Sequence, residues 1–302
     1  MNKSTKVWLI TAASAILVGI IIFGCAMIIA KGDFMKLSTS KLETNNHEIN
    51  EDFSNISVKT DTADILFVLS KDGTCKVECY EDKKANHSVK VENDTLIIVL
   101  EDKRSWFDHI GINFSSPKIT VYLPKTAYDT LNVSATTGDV ALTKEINFDK
   151  SDISLSTGAV KCSSSVTESF KIKVTTGDVR IENTTLGSVD ISVTTGNVNL
   201  SDVICKSFTS TGTTGDVDLK NTVASEKISI NRSTGNIKFE RCDAAEIFVK
   251  TATGNISGTL LSDKDFNAHS DTGHVTVPKN EQGEGVCEIT TDTGDIRISI
   301  KH

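Results

Sequence analysis

The sequence repeats a threonine–glycine pair at an almost constant interval, and this repeat constrains the fold more than any other feature of the chain. Nine copies follow one another at spacings of 19 to 21 residues, and each glycine precedes a small or polar residue and then Val or Ile. A period this regular is typical of stacked structural repeats. The nine glycines are Gly138, Gly158, Gly177, Gly196, Gly215, Gly235, Gly254, Gly273 and Gly294.

Each repeat reads as two short strands that meet at a bend. Apolar and polar residues alternate on both sides of the glycine, as in the segment FKIKVTTGDVRI at 170–181. Alternation with a period of two predicts β-strands, and glycine supplies the backbone angles of a sharp corner. The threonine before each glycine falls in the inward-facing parity, so we expect a buried threonine ladder.

A parallel solenoid and an antiparallel meander both fit this pattern. Equivalent residues would stack about 4.8 Å apart in the solenoid and about 9.6 Å apart in the meander. Four of the nine positions after the glycine hold aspartate, and no two consecutive copies do so. Avoidance of like charge is expected when neighbours nearly touch, and a meander would leave one apolar face uncovered. We therefore predict an all-β, β-helix-like parallel β-solenoid of about ten 19–21-residue coils.

Both ends of the solenoid differ from the regular repeats. Residues 56–67 fit the pattern with Ala63 in place of glycine, which predicts a degenerate first coil. Strand-like segments up to residue 130, broken by a turn at 92–94, predict an irregular β cap within a domain of 51–130; the repeats then span 131–302. At the far end we expect the last strand to be the exposed edge, protected by Lys301 and His302.

One polar loop in the predicted cap carries three aromatic residues. The segment 101–116 contains Trp106, Phe107 and Phe114. Two interpretations stay open: the aromatic residues pack on the end coil, or they contact a partner or the membrane surface.

The N-terminus contains an apolar segment of membrane-spanning length. Residues 7–30 are 24 residues without a charge, about 36 Å of helix. Lys3 and Lys6 precede this segment, which favours a cytoplasmic N-terminus. We predict a cytoplasmic tail and transmembrane signal anchor at 1–31 and a polar stalk at 32–50. The protein would be a single-pass cell-membrane protein with an extracytoplasmic C-terminal domain.

Two alternatives to an uncleaved anchor stay open, namely cleavage as a signal peptide and lipidation at a cysteine. A signal peptide would have a shorter apolar core and a small-residue cleavage motif, which this segment lacks. A lipoprotein signal would place a small residue two positions before the modified cysteine, where Phe23 precedes Cys25.

Charge and cysteine content exclude several classes of function. Without the three lysines of the first 31 residues, the chain has 29 basic and 40 acidic residues, a net charge of −11. No basic patch is present, so we expect no nucleic-acid partner. Seven cysteines without a Cys-x-x-Cys pair argue against a structural zinc site and favour buried cysteines that act as small apolar residues.

The last two repeats read Asp-Thr-Gly, as in aspartic proteases. Those enzymes need two such loops facing each other across a cleft, whereas these copies are 21 residues apart in one repeat array. Stacking of adjacent coils would instead bring together Asp271, His274, Asp292 and Asp295. Such a cluster is either a solvated acidic corner or a weak calcium site.

The pattern as a whole resembles a known bacterial family. The segment ITVYLPKTAYDTLNVSATTGDV and the repeats TTGDV, TTGNV and STGNI are similar to the putative-adhesin family of β-strand-repeat proteins, also called domain of unknown function 4097. The resemblance covers roughly residues 50–302. It implies a bacterial envelope protein with a solenoid of pectate-lyase-like shape, and it supplies no catalytic residues.

Three functions follow as hypotheses. We favour a non-enzymatic, membrane-anchored interaction protein that contacts a cell-envelope or surface protein or a polysaccharide. A component of an envelope-stress regulatory system is the second. A polysaccharide lyase or hydrolase is the third, but it would need clustered acidic residues on one face. One outward column instead holds the mixed set Lys161, Arg180, Asn199, Asp218 and Lys238.

Overall fold

The computed structural model describes residues 2–33, 42–105, 116–279 and 283–301. One helix, α1 (Lys3–Ile29), precedes a structure that is otherwise made of strands and their connections. The helix is long and apolar enough to cross a membrane by length and composition, and none of its residues is buried. The aromatic residues of the 101–116 loop lie outside the described residues.

The regular part of the chain is a parallel β-solenoid, as predicted, with about eight turns where about ten were expected. Equivalent strands pair in parallel and in register, so that Val160 lies beside both Val140 and Val179. These strands are β8 (Ala127–Thr137), β9 (Val140–Leu142), β10 (Asn147–Thr157), β11 (Val160–Cys162), β12 (Ser165–Thr176), β13 (Val179–Thr195), β14 (Val198–Thr214), β15 (Val217–Thr234) and β16 (Ile237–Thr253).

The glycine of each repeat forms a corner whose backbone angles are strained for any other residue. The nine corner glycines have φ between +133° and +156°, a region that L-residues rarely adopt. Stacking adds a second constraint, because a Cβ on Gly196 would lie 2.0 Å from the carbonyl oxygen of Gly177. The glycine column is therefore fixed both by backbone angle and by the close approach of neighbouring coils.

The threonine before each glycine points outward, so the predicted buried threonine ladder is wrong. Thr137, Thr176 and Thr195, for example, are all exposed. The corner interrupts the in–out alternation, because the two threonines of the TTGD segment and the following aspartate all face solvent. Inward parity resumes two residues after the glycine, as at Val179.

The interior of the coils is a continuous apolar core that also holds the buried guanidinium of Arg232. Arg232 is 2% exposed and lies beside Gly212 of the preceding coil. Its Nη2 donates to Ser210 Oγ (2.9 Å) and its Nη1 to the carbonyl oxygen of Val193 (3.2 Å). The guanidinium occupies space that a side chain at Gly212 would fill, since a Cβ there would lie 1.6 Å from Arg232 Nη1.

The degenerate first coil is confirmed. It consists of β2 (Asn55–Lys59) and β3 (Asp64–Leu69), which pair in parallel with β8 and β9. Thr62 bridges to Thr137, and Ala63 takes the place of the corner glycine, with its carbonyl oxygen against Gly138.

An irregular β cap covers this first coil. The cap strands are β1 (Leu42–Ile49), β4 (Cys75–Asp82), β5 (Ala85–Glu92), β6 (Thr95–Asp102) and β7 (Lys118–Leu123). Strands β6 and β7 add a parallel layer on β2 and β3, and antiparallel strands then continue the sheet from β7 to β4 and β1. The predicted turn is present, since Asn93 and Asp94 have positive φ and join the antiparallel strands β5 and β6.

Strand β1 lies within the range 32–50 that the sequence suggested as a stalk. It pairs along its whole length with β4, from Leu42 beside Asp82 to Ile49 beside Cys75. The folded domain therefore begins before residue 51. The sequence LETNNHEI was not predicted as a strand because its six central residues are polar, and only its pairing with β4 reveals it.

The C-terminal coil is inserted between two earlier coils. The strands of this region are β17 (Ile256–Leu260), β18 (Asp265–Thr272), β19 (Val275–Thr276), β20 (Val286–Thr293) and β21 (Ile296–Ile300). Strand β20 lies between β16 and β18, and β21 lies between β17 and β19. The predicted edge at the last strand is thus wrong, and β18 and β19 form the edge. Apolar content explains the order, because the inserted strands bury Cys287, Ile289 and Ile296 whereas Val275 on the edge is 41% exposed.

Candidate functional site

The four residues predicted as a calcium site lie on two neighbouring coils at the far end of the solenoid. Thr272 pairs with Thr293, which places Asp271 beside Asp292. Asp295 Oδ1 accepts a hydrogen bond from the His274 N–H (2.9 Å), and Asp295 Oδ2 binds Arg297 Nη2 (2.7 Å).

Two of these carboxylates already have protein partners. The His274 N–H and, after it, the charge of Arg297 hold the pKa of Asp295 below its ordinary value. Asp271 Oδ1 lies 2.8 Å from His269 Nε2. Calcium binding here stays a prediction.

Side chains after the corner glycines form a hydrogen-bonded ladder along the solenoid. The side-chain oxygen of each Asp or Asn accepts the backbone N–H of the equivalent residue in the next coil. Asp178 Oδ1, for example, accepts from Asn197 N (2.7 Å), and Asn197 Oδ1 accepts from Asp216 N (2.9 Å). Charge avoidance alone does not explain the column, because Asp64 Oδ1 accepts from Asp139 N (2.9 Å), which makes two aspartates neighbours.

The outer surface of the first coil carries an apolar groove. Its volume is about 480 Å³. Leu66 and Val68 on β3 and Tyr122 on β7 line it, and Lys76 Nζ lies 5.8 Å from the centre of the Tyr122 ring. In the next coil the position of Leu66 is taken by Ala141, and polar residues follow it along the column. The apolar lining is therefore a property of the N-terminal end.

A shallow depression of about 300 Å³ lies further along the same outer column and is lined mainly by charged residues. Arg180 pairs with Glu182, and Lys220 pairs with Glu240, each at 3.5 Å. Burial raises the pKa of Asp218, and the charge of Lys238 opposes this shift. The mixture of paired acids and bases suits contact with a polar partner.

A third group of polar side chains lies inside the cap, and sequence analysis did not identify it as a site. His47 on β1 and Cys79 and Glu81 on β4 offer ligand atoms that all lie within 4.8 Å of one another. Within the described residues, no other group of three His, Cys, Asp or Glu side chains has ligand atoms this close together. The four calcium candidates are farther apart than this limit. Sequence analysis did not select His47 as a candidate because its strand lies in the range predicted as a stalk.

The electrostatics of this group keep the free thiol protonated. Burial raises the pKa of Cys79 to about 12, and the negative charges of Glu81 and Glu78 add to the effect. Burial alone would raise the pKa of Glu81, but hydrogen bonds from His87 and Asn45 lower it below its ordinary value.

Comparison with known proteins assigns the chain to a family. The model of the Toastrack DUF4097 family matches residues 53–299. The chain belongs to the Toastrack DUF4097 family. This confirms the resemblance seen in the repeats, and the match includes the first coil and the cap as well as the regular coils.

Solved structures show the same fold for other proteins at low sequence identity. A protein from Parabacteroides distasonis ATCC 8503, described as a putative lipid binding protein, is 16% identical with a TM-score of 0.56. A putative adhesin from Parabacteroides merdae ATCC 43184 is 13% identical with a TM-score of 0.53. Each match covers 87% of this Toastrack chain and 98% of the other chain. No curated protein matches this chain.

Proposed function

We propose that this Toastrack protein is a non-enzymatic, bacterial envelope interaction protein, anchored by α1, whose solenoid binds a partner through the outer groove of its first coil. The observation that carries the proposal is the apolar lining of that groove, at the start of an outward column that becomes polar in the coils beyond it. Leu66, Val68 and Tyr122 line it, while the equivalent positions along the solenoid become polar. A solvated surface has no need of such a patch, and an apolar groove with polar rims is typical of a binding site.

Two further observations support an interaction role. The charged depression that includes Arg180 and Asp218 continues along the same outer column, so an extended partner would meet apolar contacts first and charged contacts beyond them. Two structural relatives are described as a putative adhesin and a putative lipid binding protein, and both descriptions name binding rather than a reaction. We expect the partner to be a surface protein, a polysaccharide or another envelope component.

Membrane anchoring is tested by fractionation of cells that express the full chain. We expect the protein to stay in the membrane pellet after alkaline carbonate extraction, and external protease to degrade the β-domain in intact spheroplasts. Deletion of residues 3–29 should release the protein from the membrane. Retention without α1, or protection from external protease, would refute the anchored extracytoplasmic arrangement.

The groove is tested with two matched substitutions on the outer face. Leu66→Glu places a charge in the groove, and Ser257→Glu places the same charge at the equivalent column position near the other end. The assay is binding of the full-length protein, in detergent, to purified cell wall and to detergent-solubilised envelope proteins. We expect Leu66→Glu to weaken binding about 10-fold or more and Ser257→Glu to leave it unchanged. Equal binding by both variants, or no binding by the wild type, would contradict the proposal.

A further inference from the structure

Four titratable side chains lie close together inside the cap: His47 on β1, Cys79 and Glu81 on β4, and His87 on β5. On β4, alternate residues from Cys75 to Glu81 are buried. Strand β1 pairs antiparallel with β4 so that Asn45 lies beside Cys79 and His47 beside Val77. Directly paired residues share a face of the sheet, so the imidazole of His47 lies on the same side as the thiol of Cys79 and the carboxylate of Glu81.

We propose that His47, Cys79 and Glu81 bind a transition-metal ion, and that this ion is zinc. Their three ligand atoms lie within 4.8 Å of one another. Bonds of about 2.0–2.3 Å around a tetrahedral zinc ion place neighbouring ligand atoms about 3.5 Å apart. Binding of the ion would therefore draw the ligand atoms closer together, by at most about 1.3 Å for any pair.

Two of the three side chains, those of His47 and Cys79, have no bonding partner among the described residues, and a metal ion would provide one. The Nε2 atom of His47 is buried and has no hydrogen-bond partner within the described structure. A buried polar atom without a partner costs free energy. Cys79 is fully buried, and its thiol is free. A metal ion would satisfy the imidazole and displace the thiol proton, since cysteine binds metals as the thiolate.

The carboxylate is already oriented by neighbouring groups, as metal ligands commonly are. Glu81 Oε1 accepts from Asn45 Nδ2 (2.7 Å), and Glu81 Oε2 accepts from the backbone N–H of His87 (2.7 Å). The His87 ring also binds Glu81 Oε2 through Nδ1 (2.5 Å) and Thr60 Oγ1 through Nε2 (2.9 Å). Hydrogen bonds of this kind fix ligand orientation and tune metal affinity. We therefore assign His87 as a positioning residue.

The donor set decides which ion the site would take. A thiolate and an imidazole are soft or borderline ligands that suit zinc or cobalt, whereas calcium and magnesium require oxygen ligands. Three protein ligands leave a fourth position for solvent. The ion would join β1 to β4, and in this way it would fasten the strand that follows α1 in the sequence to the rest of the cap.

The test uses the full-length protein in detergent, reduced, treated with chelator and then titrated with Co²⁺ or Zn²⁺. We expect one equivalent of Co²⁺ to give a cobalt–thiolate charge-transfer band, and Zn²⁺ to displace it and raise the melting temperature. Calcium should do neither. Cys79→Ser should abolish the band. Cys75→Ser is the matched control, because Cys75 is also buried on the same face of β4, and this variant should keep the band.

Two histidine variants keep the proposal testable if Cys79→Ser fails to fold. His47→Gln changes a partly exposed residue of β1 and should weaken zinc binding about 100-fold or more, while His87→Ala should weaken it about 10- to 100-fold. A wild type that binds no zinc, or a His47→Gln variant that binds it as tightly as the wild type, would overturn the assignment. Loss of groove binding in Leu66→Glu has no bearing on this result.

Discussion

The hydrogen-bonded ladder at the corners is interrupted at the repeat in which Ala159, and not Asp, Asn or His, follows the glycine. Ala159 accepts no bond through its side chain, although its own N–H is bound by Asp139 Oδ1 (2.8 Å). The next N–H in the column, that of Asp178, therefore gains no side-chain acceptor from Ala159. Ala159→Asn would supply one. The matched variant Ala159→Asp supplies the same acceptor with a charge.

The magnitude follows from the ladder geometry. A net hydrogen bond contributes about 0.5–1.5 kcal/mol, and an exposed corner favours the lower half of that range. We expect Ala159→Asn to raise the free energy of unfolding by about 0.5–1 kcal/mol. Aspartate would face Asp139 and Asp178 about 4.8 Å away on either side, at a repulsion of up to about 0.9 kcal/mol each in water. At low salt, Ala159→Asp should therefore be less stable than Ala159→Asn.

Two measurements check this prediction on the full-length protein in detergent. Denaturant unfolding compares the variants at low salt and at about 1 M salt, where screening should close the gap between asparagine and aspartate. Amide hydrogen exchange of Asp178 should slow in Ala159→Asn. Asn197→Ala is the reverse variant and should destabilise by a similar amount, because it removes the bond to Asp216 N. If neither variant changes stability or exchange, the ladder contributes nothing.

Three other predictions concern a corner glycine, the buried side chain of Arg232 and the buried cysteines. Gly196→Ala should destabilise by about 3 kcal/mol or more, because strain and a backbone clash combine, while Gly73→Ala, which has a positive φ but open space, should cost about 1 kcal/mol. Equal losses would refute the stacking argument. In denaturant unfolding, Arg232→Ala should lose about 2–4 kcal/mol and Arg232→Met less than half of that; the opposite order would contradict a packing role. In a thiol-reagent assay at pH 8, four buried cysteines should react only after the protein unfolds, because burial raises their pKa to about 11 or 12. These cysteines are Cys162, Cys205, Cys242 and Cys287. Reaction in the native state would contradict their burial.

The regular coils were predictable because their signal is local and repeated. Each copy carries the alternation of its two strands and a glycine whose backbone angle few other residues tolerate. The degenerate first coil was also predictable, since Ala63 and Asp64 keep the phase of the pattern. The in–out assignment failed at the threonines, because a sharp corner breaks the alternation that a straight strand would continue.

The two ends were harder to predict because long-range pairing decides them. Strand β1 has a polar sequence, and its register beside β4 creates the partly buried face on which His47 lies. A search for closely spaced cysteines could not find a cluster whose ligands are separated by more than 30 residues of chain, as His47 and Cys79 are. A histidine in a strand-like alternation (LETNNHEI) was the one local hint.

By itself, the sequence determined the solenoid, its corners and the apolar N-terminal segment, because each of these depends on residues close together in the chain. Only the tertiary structure decided the order of the last coils, since β20 and β21 could stack on the end or enter between earlier strands with the same local pattern. Burial favoured insertion, because the apolar residues of β20 and β21 then contact a coil on both sides. Long-range packing also assembled the outer groove and the cap cluster, each of them from strands that are distant in sequence.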